Sequence, residues 1–299
     1  MTKQTWAKLA ALLAGLAFGI YWIPIRALED HGLPGLWAVF TFNFMATLIL
    51  FPLIIHRWRC LVPGRKKLHA GTFMAGLAFV FYASAFLYTE VVKVFVLFYL
   101  LPIWGFIIAR IVTGERITTI RWVSMAVALG GLMVIFGWDT GLPMPSNRGD
   151  WMALCAGILW AGASMLMLTD EDHAVNYTLG FIFWSALIAC VAAVLATSYG
   201  SLPGPDWSGF NDLVPYLIVL SIVLIIPTGF ASMFGPSQLN SGTVGLLFMT
   251  EISMGTITAA IFAGEPFGAK EVVGVGAITL AGILEPIRDK WFSQNTPTR

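Results

Sequence analysis

A carboxylate sits inside a long apolar run, Phe248-Met249-Thr250-Glu251-Ile252-Ser253-Met254. If that run crosses a bilayer, the charge stands near mid-depth, where an acid costs about 2.5–3.5 kcal/mol even on the lenient insertion scale. Glu251 therefore faces a cavity, or is neutral and hydrogen-bonded to a neighbouring segment. In the first case it meets a solute amine or carries a proton for coupling. Rings and hydroxyls recur at helical spacing elsewhere in the chain. Phe18 and Trp22 share one helical face, as do Phe79, Tyr82 and Phe86, then Phe95 and Tyr99, then Trp160 and Ser164. Phe248 and Thr250 flank Glu251. Rings supply apolar area and hydroxyls supply direction, which suits a large apolar or aromatic solute. Each ring taken alone has a second reading, as packing or lipid-facing surface. The candidate solute-binding set is Phe18, Trp22, Phe79, Tyr82, Tyr99, Trp160, Ser164, Phe248, Thr250 and Glu251.

Other chemistries find no support in the sequence. All four histidines (His31, His56, His69, His173) fall in expected loops, so no buried imidazole is at hand as a base. Neither HExxH nor GxxxxGK[ST] occurs. The apolar stretches hold no paired aspartates, and the three cysteines (Cys60, Cys155, Cys190) have no metal-like spacing. Catalysis, ATP use, a bound metal and a cofactor are not expected. A formal net charge of +1 gives no sign of nucleic acid. Rings of charge or a carbonyl filter, the marks of a channel, are not visible either.

The composition fixes the setting for these groups. The chain has 299 residues, 58% hydrophobic and 11% charged, with mean hydropathy +0.81. Soluble domains carry about 25% charged residues, so this chain cannot cover a water-facing surface and reads as an integral membrane protein. Ten apolar stretches approach the ~20 residues that a crossing takes. They lie near 6–28, 33–55, 70–89, 92–112, 119–137, 150–168, 175–198, 212–235, 240–262 and 270–287. The N-terminal stretch lacks a clear cleavage site and reads as the first span rather than a signal peptide. Pro24, Pro102 and Pro227 are placed to kink spans 1, 4 and 8 and to free backbone carbonyls. With the N-terminus inside, thirteen Lys and Arg residues fall on the inner side and four outside, which places both termini in the cytoplasm. Trp6, Trp37, Trp58, Trp138, Trp151 and Trp291 lie near expected membrane borders and read as interface anchors. Asn43 reads as a packing group between spans, and Lys93 as a cation that snorkels or meets a solute carboxylate.

The chain also repeats itself. Between 96–115 and 246–265, 8 of 20 positions are identical without a gap, including Leu97-Phe98 with Leu247-Phe248, Gly105 with Gly255 and Gly114-Glu115 with Gly264-Glu265. Chance gives ~2 in matched apolar sequence. Five spans per unit is an odd number, so the second copy must enter the membrane from the opposite side. The expected fold is an all-α membrane protein of ten helices, two inverted five-helix repeats around a central cavity. The repeats cover 1–138 and 149–288, followed by a cytoplasmic tail at 289–299.

This organisation, with Gly-Glu closing span 4 of each half, resembles the drug/metabolite transporter superfamily and its EamA-type members. Within it the chain looks most like the bacterial aromatic amino-acid exporters of the YddG type. The resemblance implies a monomeric secondary transporter of the bacterial inner membrane. It would export small organic solutes, aromatic or large neutral amino acids first, by alternating access; a drug or other metabolite permease is the alternative. It also implies that spans 1, 3, 4, 6, 8 and 9 surround the cavity. The chain departs from internal symmetry at Pro102, opposite Ile252, and at Leu101, opposite Glu251.

Overall fold

The computed structural model describes residues 2–57, 61, 65–86, 88–89, 91–114, 118–136, 144–170, 173–262, 264 and 267–295. Among them no strand occurs. The helices are α1 (Lys3–Phe18), α2 (Trp22–Asp30), α3 (Leu36–His56), α4 (Lys66–Ala85), α5 (Val91–Phe98), α6 (Leu101–Val112) and α7 (Thr119–Phe136). They continue as α8 (Arg148–Leu168), α9 (Ala174–Ser198), α10 (Phe210–Leu220), α11 (Ile226–Phe234), α12 (Ser241–Phe248), α13 (Thr250–Phe262) and α14 (Ala269–Asn295). Eight segments are long and apolar enough to cross a bilayer: α1–α2, α3, α4, Lys93–Val112, α8, α9, Phe210–Phe234 and α12–α13. The chain is thus a multi-pass integral membrane protein. The fifth and tenth expected spans are helical, as α7 and α14, but do not meet the same measure: the apolar part of α7, Thr119–Ile135, is shorter.

Three of the expected kinks are breaks, each with a local cause. Pro24 has no N–H to offer the Ile20 carbonyl, and the chain turns at Gly19–Tyr21 through short i→i+3 bonds before α2 begins. Pro102 likewise leaves the Phe98 carbonyl without its helical donor, and α5 gives way to α6. Ahead of Pro227 the chain widens into one π-helical turn, Ser221–Ile225, between α10 and α11. A fourth break, between α12 and α13, has no proline. There the Ile252 amide bonds the Met249 carbonyl at 3.0 Å instead of that of Phe248, and the Tyr99 hydroxyl donates to the freed Phe248 carbonyl at 3.2 Å.

The helices pack in pairs that bring sequence-distant segments together. α4 lies along α8 and α1 along α11; α3 packs on α9, α7 on α14, and α6 on α12. The α5–α6 pair rests on α8, and the α12–α13 pair on α1. Glycines set the closest of these approaches. A Cβ on Gly157 would lie 2.7 Å from the Phe98 carbonyl oxygen, and one on Gly15 would lie 2.9 Å from that of Phe248. Gly131 and Gly274 meet reciprocally, each facing the other's carbonyl. The Gly of each repeated Gly-Glu pair has a positive φ, +70° at Gly114 and +69° at Gly264, just past α6 and α13. That left-handed position favours glycine as a helix C-cap. Glu115 and Glu265 lie outside the described residues, as do Trp58 and Trp138, and the side chain of Trp291.

Candidate functional site

Tyr82 comes from α4 and Tyr99 from the α5–α6 break, and both phenols reach Glu251 in the first turn of α13. The Tyr82 hydroxyl donates to Glu251 Oε1 at 2.9 Å, and the Tyr99 hydroxyl donates to Oε2. Glu251 is only 8% exposed. The break before α13 has a direct electrostatic consequence, because it turns mid-span into a helix N-terminus. The amide dipoles there favour a negative group.

Beside this cluster lies a small, partly open cavity of about 30 Å³, lined by Phe18, Phe79, Tyr82, Phe98, Trp160, Phe248 and Glu251. Its lining comes from α1, α4, α5, α8, α12 and α13. The rings pack mostly edge to face: Phe18 with Phe248 at 6.3 Å, Phe79 with Phe181 at 5.9 Å, and Trp160 with Phe181 at 5.8 Å. Tyr82 lies 4.3 Å from Phe98, centroid to centroid. The indole nitrogen of Trp160 is buried and has no hydrogen-bond partner. The lining is therefore chiefly ring faces beside one carboxylate, and its residues include no Lys, Arg or His.

Of the ten residues singled out from sequence, Phe18, Phe79, Tyr82, Trp160, Phe248 and Glu251 line this cavity. Tyr99 stands behind it, fully buried, and holds Glu251 and the Phe248 carbonyl. The other three face helix contacts. The Trp22 indole donates to Thr258 Oγ1 at 3.0 Å, and that hydroxyl donates to the Gly19 carbonyl at 3.1 Å. The Thr250 hydroxyl donates to the carbonyls of Leu12 and Leu247, and the Ser164 hydroxyl donates to that of Trp160. Both threonines thus fasten α13 to the first span. Phe98 lines the cavity yet was absent from the sequence-derived set. Its signal was available, since it is the repeat mate of Phe248.

Two further polar expectations have definite places. Asn43 is buried and bonds back to the Val39 carbonyl of its own helix at 2.9 Å rather than joining two spans. Lys93 lies 3.9 Å from Asp150 at the start of α8. Asp150 also accepts from Thr89 and from the Ser146 amide and hydroxyl. Trp6 and Trp151 are more than half exposed, whereas the Trp37 indole donates to Thr197.

Residues 5–137 match the EamA-like transporter family. Over 189 residues the chain is 25% identical to the chloramphenicol-sensitive protein RarD of Pseudomonas aeruginosa, a match covering 62% of this chain and 58% of that relative. The chain thus aligns with rather more than half the length of that curated relative. A crystal structure that is 16% identical superposes with a TM-score of 0.72 over 96% of this chain and 98% of the other, a likeness of fold.

Proposed function

We propose that this EamA-like membrane protein is a secondary permease that moves small organic solutes through the cavity at Glu251. The observation that carries the reading is the cavity itself, a ring-lined chamber with a buried carboxylate where three broken spans meet. Broken helices at mid-membrane are the usual means of exposing backbone and charge to a solute. The family match over residues 5–137 points the same way.

The packing supports two inverted five-helix halves, 1–138 and 149–288. Exchanging the halves carries the α4–α8 contact onto α11–α1, and that of α5–α6 with α8 onto that of α12–α13 with α1. It also carries the Phe98–Gly157 approach onto Phe248–Gly15. The contacts of α3 with α9, α6 with α12, and α7 with α14 map onto themselves. Rocking of such halves would expose the cavity to each side in turn. On this reading the protein is a bacterial inner-membrane exporter, working as a monomer with both termini in the cytoplasm.

The rings match a bulky apolar or aromatic body, and Glu251 matches an amino group. Aromatic and large neutral amino acids have both features, as do amine-bearing drugs. Glu251 is also the candidate for proton coupling, since it is the one acid in the lining. Counterflow in proteoliposomes tests the reading. Purified protein should exchange labelled aromatic solutes saturably, without ATP. The absence of exchange with any amino acid, amine or drug of the panel, or exchange confined to sugars, would overturn it.

A further inference from the structure

We infer that the cavity selects cargo carrying an amino group but no free carboxylate, such as aromatic primary amines, over zwitterionic amino acids. The inference rests on the permease reading above and narrows its cargo.

Glu251 has no ion-pair partner among the described residues. Its two oxygens are met by two neutral phenols, Tyr82 and Tyr99. Around it stand the ring faces of Phe18, Phe98, Trp160 and Phe248. A carboxylate within a wall of rings is a cation site twice over, through charge and through the negative faces of the rings. An ammonium placed there gains a counter-ion without displacing any built-in cation.

A solute carboxylate finds the reverse. The lining supplies no Lys, Arg or His, and both phenols are already engaged by Glu251. The one other side-chain N–H among the lining residues is that of Trp160, and it is itself buried. The two helix N-termini nearest the site are also committed. That of α13 bears Glu251, and that of α6 is covered by Gly245, whose Cβ position lies 2.9 Å from the Pro102 nitrogen. Lys93 is held 3.9 Å from Asp150 and does not line the cavity. A zwitterion would thus bring a second carboxylate toward Glu251 with one neutral donor to receive it. Burying a charge so poorly matched is strongly unfavourable.

The test uses four probes on one benzyl body: phenethylamine, phenylalaninamide, phenylalanine and 3-phenylpropionate. Each competes for labelled phenethylamine uptake in proteoliposomes of the full chain, and each is measured directly in counterflow. Phenethylamine and phenylalaninamide should exchange and compete at similar concentrations. Phenylalanine should be weaker by about tenfold or more, the scale of one lost charge-assisted bond, and phenylpropionate should be inert. Glu251→Gln should lose amine exchange by a similar factor while remaining monodisperse. Tyr82→Phe, which keeps the acid and the ring, should retain it in part. Phenylalanine exchanging as well as its amide would overturn the inference and leave the permease reading intact, as would amine exchange undiminished in Glu251→Gln. Exchange of none of the four amine-bearing or acidic probes, with exchange of other aromatic solutes preserved, would also overturn the inference alone. Failure of every solute would overturn both.

Discussion

Tyr99 does two jobs from one hydroxyl. It donates to Glu251 Oε2, and it lies 3.2 Å from the Phe248 carbonyl that the α12–α13 break releases. Removing that hydroxyl takes away the one proton that the two buried acceptors share, a loss worth about 1–3 kcal/mol. Tyr99→Phe should therefore lower the melting temperature in detergent and weaken transport together. Among the described residues the Tyr82 hydroxyl bonds Glu251 alone, and the residue is half-buried, so Tyr82→Phe should affect transport more than stability. Equal melting temperatures for wild type and Tyr99→Phe would remove the structural half of this account. Glu251 was legible in the sequence because an acid at mid-span stands out against its neighbours. Its partners were not. Nothing in the spacing of Tyr82 or Tyr99 says that two phenols from distant spans converge on one carboxylate, since that depends on how α4 and the α5–α6 break dock against α13. Trp22, Ser164 and Thr250 show the converse: their positions on helical faces were readable, but their hydroxyl and indole groups turn to backbone or to a neighbouring helix.

The breaks have the same logic on two different chemistries. In the fourth span the Phe98 carbonyl is released because Pro102 has no N–H. In the ninth, the equivalent Phe248 carbonyl is released without a proline, with a tyrosine hydroxyl as substitute donor. The first break could be anticipated from Pro102. The second could not, because Ile252 occupies the matching position and its effect arises only in the packed molecule. Each released carbonyl faces a glycine on a neighbouring helix, Gly157 on α8 and Gly15 on α1. A β-branched side chain at Gly157 must push α5 away from α8. Gly157→Val should cost about 1–3 kcal/mol, typical of overpacking, and should lower the melting temperature. The same change at Gly276, where a Cβ meets nothing within 4 Å, should be tolerated. Matching losses at both positions would show that close approach is not what Gly157 provides.

At the scale of the whole molecule, a cavity lined from α1, α4, α5, α8, α12 and α13 makes sense of features that are costly one by one. A buried acid, three interrupted spans and the glycine-tight contacts of Gly15 and Gly157 converge on the region lined by Phe18, Phe98, Trp160 and Phe248. The all-helical, multi-pass character was readable at the outset because the need to satisfy backbone groups in lipid leaves few choices, and eight of the ten expected spans meet the crossing measure. The weaker case was α7, whose apolar part, Thr119–Ile135, is shorter than the eight segments that meet the crossing measure. The proposed permease requires that this one cavity be reached from both sides of the membrane in turn. The direct measurement places a single cysteine at Phe248, in a protein with Cys60, Cys155 and Cys190 replaced, and applies a membrane-impermeant thiol reagent to vesicles of each orientation. A permease should label from both sides, slowed from each by a transported solute. Labelling from one side only, or at a rate that no solute alters, would contradict it.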